Sequence, residues 1–257
     1  MANIADQWDL LYKAGDRGMY RVKNPRRFFR LTKRFPISYI LERNLVRTGD
    51  LVLEVGCGGG QYGIAFAVCG YRVILLDYSM ETLKIAENNT MTAKEIQSSL
   101  EVKIVQGDMF NLGFSSGSFS MVFNEGALEH FASSRERIRC ISEMIRVTKA
   151  SGHIMIMIPN NCHPWVPYWI KHDFPWLRES NPIKEHLISA ETLKKEMMTA
   201  GCRSVYIDGY EVYDSLQKWP KSKLRTYAAR GLKFVLPEPP RSQRVKYGTY
   251  LFSIGTV

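Results

Sequence analysis

A glycine-rich turn and an acidic residue beyond it carry the clearest chemical signal in the sequence. The stretch from Glu54 to Gly60 reads Glu-Val-Gly-Cys-Gly-Gly-Gly and separates a β-rich run from an apolar helical one. Glycine lets the backbone turn sharply and lets a ligand approach the amides without meeting a Cβ atom. Asp77 ends the next β-rich run, where its carboxylate can accept hydrogen bonds from a ribose diol. The pair predicts a binding site for an adenosine-containing cofactor.

The glycine spacing alone leaves more than one cofactor class open. Counted from Gly56 the pattern is GxGxG, whereas Gly58, Gly60 and Gly63 give the GxGxxG spacing of dinucleotide sites. No Gly-Lys-Ser or Gly-Lys-Thr follows, which excludes a P-loop. Any cofactor that contains adenosine offers a ribose diol to Asp77. A purely structural turn with a surface aspartate is the alternative without a ligand.

The elements that must position these residues alternate between strand and helix patterns. Predicted strands cover residues 51–55, 71–76, 102–105, 119–123, 153–158, 203–212 and 247–256. Predicted helices cover 61–69, a stretch capped by Ser79, 135–149 and 189–200. This alternation predicts an α/β fold with a doubly wound, mostly parallel seven-stranded sheet and an antiparallel last strand. Ligands of such sheets bind at the carboxyl ends of the strands.

We expect one domain over residues 1–257, with four parts. Residues 1–45 form an N-terminal helical cap interrupted at Pro25 and Pro36, and residues 46–160 form the cofactor-binding core. Residues 161–188 are rich in Pro and Trp and are interpreted as a lid insertion. Residues 189–257 supply a helix and a strand hairpin with a basic insertion.

Composition excludes several classes of protein. With 45% hydrophobic and 23% charged residues in 257, the chain is neither disordered throughout nor a disulfide-stapled mini-protein. It has no apolar stretch of about 20 residues and no signal-peptide pattern, so we expect a cytoplasmic protein without a transmembrane segment. The five cysteines form no CxxC pair and are expected to be reduced thiols.

The formal net charge of +10 is concentrated in two segments. Residues 17–34 hold eight basic and no acidic residues, and residues 218–246 hold nine basic residues and one acidic residue. Such segments attract nucleic acid, anionic ligands or membrane surfaces. The simpler interpretation is that they are solvated faces of peripheral helices.

Four motifs together resemble the class I S-adenosylmethionine-dependent methyltransferases. The resemblance runs through roughly residues 48–160 and includes the small-molecule enzymes of ubiquinone and menaquinone biosynthesis. Its motifs are Leu53-Glu54-Val55-Gly56-Cys57-Gly58-Gly59-Gly60, Leu76-Asp77-Tyr78-Ser79, Gln106-Gly107-Asp108-Met109 and Phe123-Asn124-Glu125-Gly126-Ala127-Leu128-Glu129-His130. The fold implied is Rossmann-like, and the cofactor implied is S-adenosyl-L-methionine.

The resemblance implies a role for each matching residue. Glu54 and the turn Gly56, Cys57, Gly58 and Gly60 would hold the methionine moiety, with Asn124 and Glu125 close by. Asp77 would accept from the ribose hydroxyls. Tyr78 and Met80 would flank the adenine, Asp108 would accept from its exocyclic amine, and the Met109 amide would face a ring nitrogen.

Candidate proton acceptors follow the fourth predicted strand. Glu125 and Glu129 are four residues apart, and we expect them to share one face of a starting helix. His130 titrates near neutrality and is, with Glu125, a candidate catalytic residue. Glu129 and His130 could instead only hold the loop. Gly126 occupies the position three before Glu129, where related enzymes place a metal-related acid, so no metal is predicted. His163 is a further possible base.

The expected reaction is methylation of oxygen or nitrogen on a small-molecule acceptor. Trp8, Tyr12, Tyr20 and the aromatic insertion could close a pocket over a planar or apolar molecule. An RNA or protein acceptor held by the basic segments is the alternative, and nucleic acid is not favoured because no RNA-binding module is recognisable. A cofactor-binding protein without catalysis is the third hypothesis.

Overall fold

The computed structural model describes residues 7–10, 21–160, 163, 185–186, 188–212 and 239–257. Most of the predicted lid, residues 213–238 of the basic insertion, and Tyr12, Tyr20 and Cys162 lie outside the described residues. A helical turn covers residues 7–10. The helices are α1 (Arg26–Leu31), α2 (Ile37–Glu42), α3 (Gln61–Val68), α4 (Met80–Lys94), α5 (Ser134–Val147), α6 (Ala190–Ala200) and α7 (Arg241–Tyr247). The strands are β1 (Leu51–Val55), β2 (Arg72–Asp77), β3 (Val102–Gln106), β4 (Phe119–Glu125), β5 (Thr148–Pro159), β6 (Ser204–Tyr210) and β7 (Tyr250–Thr256).

The seven described strands form one sheet in the order β3-β2-β1-β4-β5-β7-β6. Strands β1 to β5 pair in parallel, and β7 is antiparallel to both β5 and β6. This confirms the predicted doubly wound sheet with an antiparallel last strand. The order differs from the 3-2-1-4-5-6 order of dinucleotide-binding folds.

Alternate residues along each strand enter two hydrophobic cores, one on each face of the sheet. Val52 of β1 and Phe123 of β4 pack on the face covered by α1 to α4. Leu53 and Val122, their neighbours in sequence, pack on the face covered by α5 and α6. Burial on both faces explains why these strands are apolar runs rather than alternating patterns.

Each of the two N-terminal helices begins directly after a proline. Pro25 and Pro36 directly precede α1 and α2, where the missing N–H of proline costs no intrahelical hydrogen bond. Phe28 and Leu31 of α1 are buried, while Arg26, Arg27, Arg30, Lys33 and Arg34 are exposed. In its described residues, the first basic segment is therefore the solvated face of a packed helix.

Two predicted boundaries were wrong. Strand β7 begins at Tyr250 rather than residue 247, because α7 continues to Tyr247 and Gly248 ends it. Strand β5 begins at Thr148, within the range predicted for the preceding helix, because Thr148 already has extended backbone angles. The four described cysteines, Cys57, Cys69, Cys140 and Cys202, are free, as expected. Within the described ranges, no helix has both the length and the apolar composition to cross a bilayer.

A buried ion pair joins α5 to α6. Arg137 donates from Nε and Nη2 to both carboxylate oxygens of Glu196 at 2.6–3.2 Å, and its Nη1 donates to the carbonyls of Phe131 and Ala132. Both side chains are less than a tenth exposed. The bidentate geometry and the two carbonyls satisfy the guanidinium, which burial would otherwise make costly.

Glu196→Ala is expected to lower the free energy of unfolding by about 3–5 kcal/mol, because it leaves the Arg137 charge buried without a counter-ion. Glu101→Gln is the matched control, since Glu101 pairs with Arg72 at 3.8 Å on the surface and should lose less than about 1 kcal/mol. Urea titrations followed by circular dichroism measure both. Equal losses in the two variants would show that the buried pair does not stabilise the packing of α5 on α6.

Candidate active site

The turn between β1 and α3 needs glycine at two positions, where its backbone packs closely against neighbouring side chains. Gly56, Gly58 and Gly60 all have positive φ, at 69°, 51° and 68°. A Cβ on Gly56 would lie 2.8 Å from the Cβ of Ala127, and one on Gly60 would lie 2.6 Å from a methyl carbon of Leu75. The backbone therefore reaches the neighbouring strand ends only because these residues lack side chains.

Gly63, the third glycine of the dinucleotide spacing, belongs to the scaffold. A Cβ there would lie 2.4 Å from Leu75 Cδ2 and 2.6 Å from Glu54 Oε2. Its N–H donates to Glu54 Oε2 at 2.9 Å. The buried Glu54 carboxylate thus fastens the start of α3 to β1. Burial raises the pKa of Glu54 well above its ordinary value, against the opposing effect of the Gly63 hydrogen bond.

Asp77 lies at the end of β2 and holds the glycine turn from the other side. Its two carboxylate oxygens accept from the N–H groups of Gly58 at 2.8 Å and Ser79 at 2.9 Å. Burial raises the pKa of Asp77, and these backbone hydrogen bonds oppose that rise. The Tyr78 backbone and the Thr82 side chain also hydrogen-bond to Asp77, which therefore holds both the glycine turn and the start of the next helix.

The residues predicted to surround an adenine lie at the ends of β2 and β3. The Gly107 N–H donates to the Asp77 carbonyl at 3.0 Å and brings these two ends together. Tyr78 and Met80 are 43% and 45% exposed. Asp108 is exposed and accepts from the Phe110 N–H at 2.8 Å, beside the partly buried Met109.

Asn124, at the end of β4, and Cys57, within the turn, are both buried. Asn124 is fully buried, donates to the Val55 carbonyl at 2.6 Å and accepts from the Leu128 N–H at 3.3 Å. Its side chain thus ties β1 to the turn that follows β4. Cys57 is buried, and burial raises the pKa of its thiol well above the ordinary value.

Glu125 and Glu129 do not share a helical face, so that prediction was wrong. Glu125 is the last residue of β4, Gly126 has a φ of 71°, and only a three-residue 3-10 turn, Leu128–His130, follows. The left-handed glycine reverses the chain before a helix can begin. The Glu129 carboxyl group nevertheless lies next to the backbone that follows Glu125, because its Oε1 lies 3.6 Å from where a Cβ of Gly126 would be.

Both carboxyl groups lie in an environment that disfavours their charged form. Burial, followed by the nearby Glu211 and Glu185, raises the pKa of Glu125 to about 7. Burial and Glu185 raise the pKa of Glu129 well above its ordinary value. Glu129 is 3% exposed, and its Oε2 accepts no hydrogen bond from the described residues. A pKa near 7 suits a group that accepts a proton at neutral pH.

Residues 7–10 cover the site and contact both of its sides. The Trp8 ring lies edge-on to His130, with 4.9 Å between ring centroids. Asp9 Oδ1 accepts from the Ser79 hydroxyl and from the Glu81 N–H at 3.4 Å. His130 is partly buried beneath this cover, whereas His163 is 2% exposed. The contribution of Asp9 was missed, since one acid in a polar N-terminus gives no pattern.

Three tyrosines that sequence reasoning also missed lie at the carboxyl edge of the sheet. Tyr210 ends β6 and Tyr250 begins β7, and their rings stack with centroids 5.4 Å apart. The Tyr62 and Tyr210 side chains are joined by a hydrogen bond. Burial is the largest cause of the raised pKa of all three phenols. Tyr250 follows the predicted basic insertion, so nothing local marked it as a site residue.

The arrangement can hold an adenosine cofactor at β1 to β3 and an acceptor at β4 to β7. Within the described residues, no group of three or more His, Cys, Asp or Glu side chains is arranged to hold a metal ion.

Residues 53–156 match the model of the methyltransferase domain family. The chain is 28% identical over 124 residues to a demethylmenaquinone methyltransferase of Paenarthrobacter aurescens, covering 48% of this chain and 44% of that protein. It is 30% identical over 112 residues to a probable tRNA methyltransferase 9B of Mus musculus, covering 44% of this chain and 22% of that protein. The chain thus spans less than half the length of these two curated relatives.

A solved structure has the same fold as this chain over almost the whole length of both chains. It is the putative methyltransferase of Haloferax volcanii in complex with the Trm112 activator, at a TM-score of 0.60 and 18% identity, covering 99% of this chain and 97% of that chain. The sheet order, the glycine turn with Asp77, and the match over residues 53–156 agree with one another. Residues 53–156 therefore match the methyltransferase domain family, and the sheet that contains them has the fold of the Haloferax volcanii structure.

Proposed function

We propose that the protein transfers the methyl group of S-adenosylmethionine to an oxygen or nitrogen of a small-molecule acceptor. The observation that carries this proposal is the enclosure of the acceptor side. Trp8 lies over His130, Asp9 reaches across to Ser79, and Glu129 is 3% exposed. Cover of this kind over the described part of the site suits a small molecule, whereas a base within a polymer must be extruded into its pocket.

The cofactor roles rest on where the residues lie. Asp77 is placed to accept from the ribose hydroxyls, and Tyr78 and Met80 offer exposed apolar surface to the adenine. Asp108 would accept from the exocyclic amine, beside the Met109 amide. The turn of Gly56, Cys57, Gly58 and Gly60, supported by Glu54 and Asn124, would receive the methionine moiety.

The chemistry asks little of the protein beyond position and a base. The acceptor lone pair forms a bond to the methyl carbon while the carbon–sulfur bond breaks and its electron pair stays on sulfur. The cofactor supplies an electrophile that is already activated, so proximity and orientation lower most of the barrier. The acceptor must lose a proton, and Glu125 is the proposed proton acceptor, with His130 as the second candidate.

An RNA acceptor is the second candidate function, and two observations favour it. The basic side chains of α1 are exposed, and one curated relative is a probable tRNA methyltransferase. This function predicts that tRNA competes with the acceptor and that its affinity falls steeply between 50 mM and 200 mM salt. The small-molecule function predicts no tRNA-dependent methyl transfer at either salt concentration.

Asp77→Ala is expected to weaken binding of S-adenosylmethionine by about 10-fold to 150-fold, because hydrogen bonds to a charged group contribute about 1.5–3 kcal/mol. Calorimetric titration of S-adenosylmethionine, with NADH as the comparison ligand, measures this. The exposed control Glu101→Gln should bind like the wild type. Unchanged affinity in a folded Asp77→Ala protein would contradict the ribose role.

Glu125→Gln is expected to lower kcat by about 10²-fold to 10⁴-fold while binding of S-adenosylmethionine is retained, because Gln accepts no proton. In the wild type kcat should rise as the pH increases through about 7, the pKa of Glu125. That acid limb should disappear in Glu125→Gln and persist in His130→Gln. Loss of the limb in the His130 variant instead would assign the base to His130.

Glu125→Gln is expected to lower kcat but to raise the stability of the protein at alkaline pH. A carboxyl whose pKa rises on folding binds more protons folded than unfolded, so its ionisation costs stability as the pH rises from its ordinary value of 4.5 to about 7. Glu125→Gln removes this cost. Its melting temperature relative to the wild type should therefore be higher at pH 8 than at pH 4, as scanning calorimetry at the two pH values can show.

A further inference from the structure

Acidic and phenolic side chains converge at the acceptor end of the sheet. Glu125 ends β4, Glu129 follows in the 3-10 turn, and Glu211 follows Tyr210 at the end of β6. Tyr250 begins β7, and its ring stacks on Tyr210. We refer to Glu125, Glu129, Glu185, Glu211, Tyr62, Tyr210 and Tyr250 as the acidic tyrosine edge. These residues come from separate parts of the chain and meet only in the fold.

The sheet register fixes how close the two halves of this edge are. Tyr250 is the register partner of both Pro159 of β5 and Tyr210 of β6. The Gly126 N–H, directly after Glu125, donates to the carbonyl of Met157 of β5 at 3.1 Å. Only β5 separates β4 from β7, and Glu125 pairs with Met157, two residues before Pro159, so the Cα atoms of Glu125 and Tyr250 are about 12 Å apart. Side chains that extend from both strand ends can contact one small molecule.

The charges at this edge have one sign. The Glu125, Glu211, Glu185 and Glu129 carboxylates each raise the pKa of Tyr250, after the larger effect of burial. Among the described residues, no Lys or Arg is a cause of the pKa shifts of Glu125, Glu129 or Tyr250. The histidines at the same edge are His130, His163 and His186, and the His186 N–H donates to the Glu129 carbonyl at 2.6 Å. The edge as described is therefore rich in acidic groups, whose charged form a bound cation would favour.

Glu129 supplies an independent sign of a ligand. It is 3% exposed, and within the described residues no donor reaches its Oε2. A buried carboxylate oxygen without a donor costs free energy, which a bound donor would recover. The partner oxygen, Oε1, lies 3.6 Å from where a Cβ of Gly126 would be, so the carboxyl group is next to the turn that follows Glu125. The unfilled acceptor therefore lies within the acidic tyrosine edge.

We propose that the methyl acceptor is a primary or secondary amine, bound as its ammonium ion between the carboxylates and tyrosine rings of this edge. The inference rests on the proposed methyl transfer and narrows its acceptor to nitrogen. An ammonium group has N–H donors for Glu129 Oε2 and Glu125, and phenol rings attract cations through their faces. A phosphate or carboxylate group at the same place would be repelled.

The proton and electron balance of the step is complete with these groups. The ammonium gives one proton to the Glu125 carboxylate, and the freed lone pair attacks the methyl carbon. The carbon–sulfur bond breaks, its electrons remain on sulfur, and the products are the methylated ammonium and S-adenosylhomocysteine. Glu125 then releases its proton to solvent. Glu129 keeps the nitrogen in line and accepts no proton in this scheme.

The test compares amines with alcohols of the same shape. The full chain, saturated with S-adenosylhomocysteine, is titrated calorimetrically with n-butylamine against 1-butanol and with phenethylamine against phenethyl alcohol. We expect each amine to bind at least about tenfold more tightly than its alcohol. Glu129→Gln and, separately, Glu211→Gln should reduce this preference about tenfold or more, while the exposed Glu101→Gln should leave it unchanged. Using two variants from different elements guards against one of them failing to fold.

Equal affinity for amine and alcohol in both pairs, or a preference that persists in both variants, would overturn the amine assignment. A parallel assay follows labelled methyl transfer from S-adenosylmethionine to amines, phenols and carboxylic acids. Transfer to phenols or acids alone would overturn the amine assignment and leave the proposed small-molecule function standing. Failure to bind S-adenosylhomocysteine would instead contradict the proposed function itself.

Discussion

The backbone of Gly56 lies against the turn that follows β4, closer than any residue with a side chain could come. A Cβ there would lie 2.8 Å from Ala127 and 3.4 Å from Asn124 Nδ2. Asn124 fixes the same contact by bonding the Val55 carbonyl, and Asp77 holds Gly58 from the opposite side. Because three strand ends meet at this turn, the cofactor side and the acceptor side share one set of hydrogen bonds.

The antiparallel β7 determines what the acceptor side is made of. In a parallel sheet only the final residues of strands reach the carboxyl edge, but β7 runs the other way and brings its first residue, Tyr250, to that edge. There it meets Tyr210, the last residue of β6, in a stacked pair. One reversed strand thus adds an aromatic wall next to the carboxylates that follow β4.

Burial sets the electrostatics of this edge more than pairing does. Desolvation is the largest cause of the raised pKa of Glu54, Asp77, Glu125 and Glu129, and neighbouring carboxylates add to it for Glu125 and Glu129. The formal net charge of the whole chain is +10, but the basic side chains of α1 are exposed to solvent. Among the described residues, the basic side chains of α1 therefore do not offset the carboxyl groups of this edge.

The sequence by itself determined the strands and the glycine turn, because each depends on local periodicity or on residues lacking a Cβ, whereas the hydrogen bond from Gly58 to Asp77 appeared only in the structure. It failed at Glu125 and Glu129, where a left-handed Gly126 replaced the expected helix. Only the tertiary structure brought Asp9 onto Ser79, Arg137 onto Glu196, and the tyrosines of β6 and β7 onto the acceptor side. These contacts join residues tens of positions apart, and a distance in space leaves no local pattern from which to predict it.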